Sequence, residues 1–159
     1  MEAGARRAGF RPLDLAEVAG DVIEAFAPAA DDEGKTLVVR LDAPLTLSGD
    51  RELLVQMIAN LVDNALRHTQ AGSRIEVAGE RTRDGVALSV SDDGPGVPSE
   101  DLTAIFQRFY RGGGAERASG TGLGLALVAA IAELHGLDCR ASDNRPGLTV
   151  RISTTPADA

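Results

Sequence analysis

Residues 50–68 read DRELLVQMIANLVDNALRH, a stretch with a start signal, an apolar face and a polar edge. Asp50 is a good helix N-cap, because a carboxylate there accepts from the unpaired backbone N–H groups of the first turn. Leu54, Ile58, Leu61 and Ala65 follow at i, i+4, i+7 and i+11, an apolar stripe that faces a core. The helix is expected to end near His68, ahead of Ala71-Gly72. Asn60 and Asn64 are four apart and Arg67 is three further on. At about 100° per residue all three share a stripe beside the apolar one, so the amides stand at the edge of the core, where a pocket can form. Asp63 points almost directly away from it. A single asparagine on a helix is ordinarily a solvated side chain. Two of them on a half-buried edge, followed by Arg, suit oxygen ligands to a hard cation and a cationic contact to phosphate.

Working outward, residues 13–30 carry a helical pattern with Asp14 as a possible cap and Val18, Val22, Ile23 and Phe26 at helical spacing, and 37–41 reads as a strand. Ile75 to Val77 and Val86 to Val90 alternate apolar and other residues around Arg83-Asp84-Gly85, which is a hairpin pattern. The hairpin delivers the chain to Ser91-Asp92-Asp93-Gly94-Pro95-Gly96. A short helix is expected over 99–110, then a glycine-rich loop over 111–120, RGGGAERASG, that has little to bury and is expected to be mobile. A long apolar helix over 122–135 ends at Gly136, and strands over 137–142 and 148–154 close the chain. Helices and strands mix without a regular βαβ repeat. The fold class is therefore α+β, a two-layer sandwich in which a mixed β-sheet is covered on one face by helices.

Composition narrows the function. The 159 residues, 43% of them hydrophobic, are enough for one domain with a sizeable core and too few for two ordinary ones. Sixteen Lys+Arg against 24 Asp+Glu leave a net charge of -8, which argues against a surface that neutralises phosphates along a nucleic acid or an anionic membrane. Cys139 is alone, so an internal disulfide and a zinc cluster are both excluded and a cytoplasmic setting is expected. No run approaches the roughly 18 apolar residues of a membrane helix, and residues 1–11 lack the apolar core of a signal peptide, so no direct membrane insertion is expected.

Two further constellations carry chemistry. Asp92-x-Gly94-x-Gly96 follows a strand; taken by itself it is a turn sequence, and in a site it offers a buried acceptor for an amino group beside glycines that let a flat ligand approach. Gly120-Thr121-Gly122-Leu123-Gly124-Leu125 leads into a helix, where unpaired N–H groups and the positive dipole end favour an anion, unless the glycines serve only close packing. Other nucleotide motifs fail. Gly34-Lys35-Thr36 resembles the end of a P-loop, but Ala29 stands where the first glycine belongs and the chain there runs from helix to strand. Leu127 occupies the third small position of a dinucleotide fingerprint. His68 and His135 lack ligand spacing, and His135, ending an apolar helix, is expected to partner its C-terminal dipole.

Taken in order, these pieces resemble one family. Asn60 to His68 resembles the N box, Asp92 to Gly96 the G1 box, Ile105-Phe106-Gln107-Arg108-Phe109-Tyr110-Arg111 the F box, and Gly120 to Leu125 the G2 box of the catalytic, ATP-binding domain of bacterial sensor histidine kinases. The resemblance covers the chain from Phe10 onward. It implies a Bergerat-type ATP-binding fold of the GHKL superfamily, shared with the gyrase B subunit, MutL and the ninety-kilodalton heat-shock chaperone. It divides the chain into a flexible segment 1–9, a catalytic domain 10–155 and a tail 156–159. It implies ATP and Mg²⁺ as cofactors, with Asn60 and Asn64 holding the metal and phosphates, Arg67 on a phosphate oxygen and His68 against adenine. Asp92 would accept from the adenine amino group, with Gly94 and Gly96 beside it. Arg111 would reach the γ-phosphate, and Gly120, Thr121, Gly122, Leu123, Gly124 and Leu125 would cradle phosphate below a lid formed by 111–120.

The resemblance also separates two chemistries. Hydrolysing relatives have a glutamate at the first N-box position to activate water; Asn60 is an amide and cannot act as a general base, so Asn60 and Arg111 would serve transfer to a protein acceptor. Gln107 and His68 depart from the family pattern, which has a glutamate and an aromatic there. Neither histidine lies in an acceptor segment, so the chain is expected to be a catalytic portion whose partners are the dimerisation and histidine phosphotransfer domain of a parent kinase and, downstream, a response regulator. Two alternatives are a serine kinase of the anti-sigma-factor type and a nucleotide-binding regulator without transfer.

Overall fold

Asp14 does cap a helix, but one that begins at Leu15 rather than Leu13: in the computed structural model its carboxylate accepts from the Ala16 N–H at 2.9 Å. The structure describes residues 9–107 and 124–155. Leu13 belongs instead to a short strand, β1 (Arg11–Asp14), and the helix α1 runs Leu15–Asp32. Then come β2 (Thr36–Leu41), β3 (Thr46–Gly49), α2 (Arg51–Arg67), β4 (Arg74–Thr82), β5 (Gly85–Asp92), α3 (Gly124–Leu134), β6 (Leu137–Asp143) and β7 (Leu148–Thr154). β1 and β3, which the sequence pattern did not suggest, form a small antiparallel ribbon of their own.

The main sheet has the order β2-β4-β5-β7-β6, with β2 parallel to β4 and the other pairs antiparallel. Register sorts its faces. Ile75 and Val77 of β4 stand opposite Asp92 and Val90 of β5, and Val90 and Leu88 stand opposite Val150 and Ile152 of β7. All of these side chains are buried. Against this face pack Val18, Ala19 and Val22 of α1, Leu54, Met57, Ile58, Leu61, Val62 and Ala65 of α2, and Val128, Ile131 and Ala132 of α3. The stripe expected on α2 is the core stripe. The opposite face of the sheet carries Arg40, Ala78, Ser89 and Arg151 across one rung. The architecture is the expected two-layer α+β sandwich.

The helix expected over 99–110 is replaced, in its described part, by two 3₁₀ turns, Ser99–Asp101 and Ala104–Phe106. Neither has a side-chain cap, and the bonds run i to i+3, as from Gln107 N–H to the Ala104 carbonyl at 2.9 Å. So short and uncapped a segment cannot offset the cost of nucleating an α-helix. The turns still bury Ile105 and pack Phe106 against the core.

Candidate functional site

The polar edge of α2 faces the beginning of α3. Asn60 and Asn64 are half-buried, one turn apart, and Asn60 Nδ2 lies 3.5 Å from the Gly124 carbonyl. Arg67 is exposed and its Nε pairs with Asp63 Oδ2 at 2.8 Å, so the carboxylate expected to point away is the neighbour that holds the guanidinium. The amides of 60 and 64 are hard oxygen donors of the kind Mg²⁺ accepts in company with water and phosphate oxygens. Among the described residues, no group of three or more His, Cys, Asp or Glu side chains is arranged to hold a metal.

Both ends of α2 are closed by distant side chains. At its C-terminus the buried Lys35 donates to the Leu66 carbonyl at 2.5 Å and pairs with Glu33 at 2.8 Å. Thr69 Oγ1 donates to the Ala65 carbonyl at 2.9 Å. The Ala65 and Leu66 carbonyls of the last turn are thus satisfied, which helps to hold Arg67 and His68 in place. Lys35 is a helix cap, in keeping with the rejected P-loop. At the N-terminus, Asp50 Oδ1 accepts from the Leu53 N–H at 3.1 Å, and His135 Nε2 accepts from the Asp50 N–H at 3.1 Å. The other ring nitrogen, Nδ1, donates to the Ile131 carbonyl at 2.8 Å. These partners assign the neutral Nδ1–H tautomer. His135 therefore meets the C-terminus of α3 as expected, but as a neutral bridge to α2 rather than a cation. Phe10 stacks on the ring with centroids 4.5 Å apart.

Asp92 ends β5 on the helix-facing side of the sheet and is 6% exposed. Its Oδ1 accepts from the Gly94 N–H at 2.9 Å and the Leu148 N–H at 3.4 Å. Its backbone carbonyl accepts from Asn144 Nδ2 at 2.7 Å. A Cβ on Gly94 would stand 2.7 Å from the His68 carbonyl, so the glycine is what allows the loop after β5 to lie against the end of α2. That contact joins the two motifs: Asp92 and Gly94 approach His68 and the carbonyl end of the asparagine helix. Gly96 adopts φ +72°, a conformation that favours glycine. Gly124 opens α3 and Leu125 packs half-buried against the core. Arg111, Gly120, Thr121, Gly122 and Leu123, with the expected lid over 111–120, lie outside the described residues.

Sequence reasoning missed Asn144, which holds Asp92 from the β6–β7 turn, Gly147, which leaves room for the Asp92 carbonyl, and Lys35 and Thr69 as caps. A turn residue that reaches across 52 positions leaves no local pattern.

Comparison with known proteins agrees with this geometry. Residues 49–159 match the family described as histidine kinase-, DNA gyrase B-, and HSP90-like ATPase. The chain belongs to this family of ATP-binding domains, and within it groups with the catalytic domains of sensor histidine kinases. It is 40% identical over 126 residues to the sensor protein kinase PmrB of Pseudomonas aeruginosa, covering 79% of this chain and 26% of that protein. It is also 40% identical over 126 residues to the signal transduction histidine-protein kinase BaeS of Escherichia coli, covering 77% of this chain and 26% of that one. The chain thus spans about a quarter of the length of these relatives. Among solved structures, the mycobacterial sensor histidine kinase MprB superposes with a TM-score of 0.81 at 29% identity, over 89% of this chain and 95% of that one. The catalytic domain of the histidine kinase ThkA does so with a TM-score of 0.82 at 26% identity, over 91% and 94%. Among the described residues no helix is long and apolar enough to cross a membrane.

Proposed function

We propose that residues 10–155 form the catalytic domain of a two-component sensor kinase, which passes the γ-phosphoryl group of ATP to a histidine on a separate dimerisation domain, from which a response regulator takes it. The observation that carries the site reading is the buried carboxylate of Asp92, set against the end of the helix that bears Asn60 and Asn64. The carboxylate already accepts from the Gly94 and Leu148 N–H groups, and with about four lone-pair sites it can take a further donor such as the 6-amino group of adenine. His68 lies against the base, and Arg67 exchanges Asp63 for a phosphate oxygen. Asn60 and Asn64 offer their amide oxygens to Mg²⁺, which neutralises phosphate charge when bound. The backbone N–H groups over Gly120 to Leu125 cradle the phosphates, and Arg111 offsets the charge that develops on the transferring group.

In the transfer the acceptor imidazole nitrogen bonds to the γ-phosphorus as the bond to the bridging oxygen breaks and ADP leaves. Asn60 supplies no base for water, so alignment with the acceptor outcompetes hydrolysis. Because ATP is drawn from the cytoplasm, the domain works on that side of any membrane its parent spans. The test is transfer in trans. Mixed with Mg-ATP and a helical hairpin carrying the parent kinase's acceptor histidine, the chain is expected to produce an acid-labile, base-stable phosphoramidate on the hairpin. Label on this chain itself, or an acid-stable ester on the partner, would overturn the histidine-kinase reading in favour of a serine kinase.

A further inference from the structure

The β6–β7 turn holds Asp92 at two points, and no motif of the site includes it. Asn144 Nδ2 donates to the Asp92 carbonyl at 2.7 Å, and the Leu148 N–H, just past the turn, donates to Asp92 Oδ1 at 3.4 Å. The turn is itself closed: the Asn144 N–H donates to the Gly147 carbonyl at 3.0 Å, and Asp143 Oδ1 accepts from the Arg145 N–H at 3.0 Å. Gly147 has φ +112°, and a Cβ there would overlap the Asp92 carbonyl oxygen. A Cβ on Gly96 would stand 2.7 Å from the Gly147 carbonyl. The turn is therefore in backbone contact with both ends of the 92–96 loop, and the Asn144 side chain ends on the peptide of Asp92.

That peptide sets the direction in which the Asp92 side chain leaves the sheet. A charge-assisted hydrogen bond weakens steeply as its angle departs from linear. A carboxylate discriminates between an amino and an oxo group at C6 of a purine only while it is held on the axis of the amino N–H; swung away, it accepts from neither well and repels neither strongly. We propose that Asn144 is a positioning residue for base selection, which holds the Asp92 peptide so that its carboxylate selects 6-aminopurine over 6-oxopurine nucleotides. The inference rests on the reading of Asp92 as the adenine acceptor.

The experiment is calorimetric titration of the full chain with ADP and with inosine diphosphate, for wild type, Asn144→Asp, Asn144→Ala and Asp92→Asn. Asn144→Asp is isosteric and exchanges the donor for an anionic acceptor, so it breaks the bond to the Asp92 carbonyl without opening a cavity and serves if the alanine variant does not fold. The expected result is about a tenfold fall in the ADP to inosine diphosphate affinity ratio in either Asn144 variant, mostly through ADP. In the transfer assay the KM for ATP rises while kcat holds. A purely structural role would weaken both nucleotides equally and leave the ratio unchanged. That outcome, with the ratio altered in Asp92→Asn, would overturn the role of Asn144 alone. A ratio unchanged in Asp92→Asn would overturn the adenine reading and this inference with it.

Discussion

The ammonium of Lys35, the single lysine of the sequence, donates to the carbonyl of Leu66, 31 residues away, and closes the C-terminus of the helix that carries Asn60 and Asn64. Lys35→Met keeps the apolar stem and deletes the cap. Its expected cost is about 1–3 kcal/mol of stability, the range for a buried acceptor losing a charged donor. Nucleotide affinity should fall as well, because Arg67 and His68 follow directly. Denaturant unfolding and ADP titration check the two effects.

Asp92→Asn retains an oxygen for the Gly94 N–H but loses the charge that would strengthen the proposed bond to adenine. ADP affinity is expected to drop by about 1.5–3 kcal/mol. Unchanged affinity in calorimetry would remove Asp92 from the site.

Asn64→Ala takes away one of the two amide oxygens proposed for Mg²⁺, at a half-buried position, and leaves the core stripe of α2 intact. ATP binding should lose most of its dependence on Mg²⁺, while metal-free binding stays close to wild type. Titrations with and without Mg²⁺ decide this.

His135→Phe preserves the stack on Phe10 and removes both ring hydrogen bonds, leaving the Asp50 N–H without its partner. About 1–3 kcal/mol of stability should be lost. In the wild type, nitrogen chemical shifts of the ring should report the neutral tautomer with its proton on Nδ1.

Cys139 faces the core side of the sheet opposite Ile152, and burial, with Asp138 adding its charge, pushes its thiol from 9.0 up to about 12. The native chain should therefore react with iodoacetamide at pH 8 at least about a hundredfold more slowly than the unfolded chain, because so little thiolate is present. The sign for stability follows from linkage. A group raised in the folded state contributes fully below its unfolded value, and that contribution is lost as pH climbs from 9 toward 12. Alkylation followed by mass spectrometry, with and without denaturant, measures the first effect.

Where local chemistry governs, the sequence was a good guide. Asp50 caps α2, Gly136 follows α3, and the hairpin around Arg83-Asp84-Gly85 forms because each is specified within a few residues. The ribbon of β1 and β3 was not legible: four residues on each side form a strand only when paired with one another. The described part of the helix expected over 99–110 was overread because its apolar residues have helical spacing but no side-chain cap starts it. At the site, Asp92 could be picked out by its place after a strand. Asn144 and Lys35 could not, since each acts through one bond to a backbone carbonyl far away in sequence.

Phe10 is stacked on His135, and Arg11 to Asp14 pair residue for residue with Gly49 to Thr46. Asp14 also ties the Leu45 N–H at 2.8 Å. From Phe10 onward the strand is therefore moored, and a connection to any preceding element would pull on that ring. One short mechanical route for a pull applied at Phe10 leads inward through the stack. It passes through the imidazole to the foot of α2 and the tail of α3, so that torque on the connection arrives at the two helices between which the phosphates would lie.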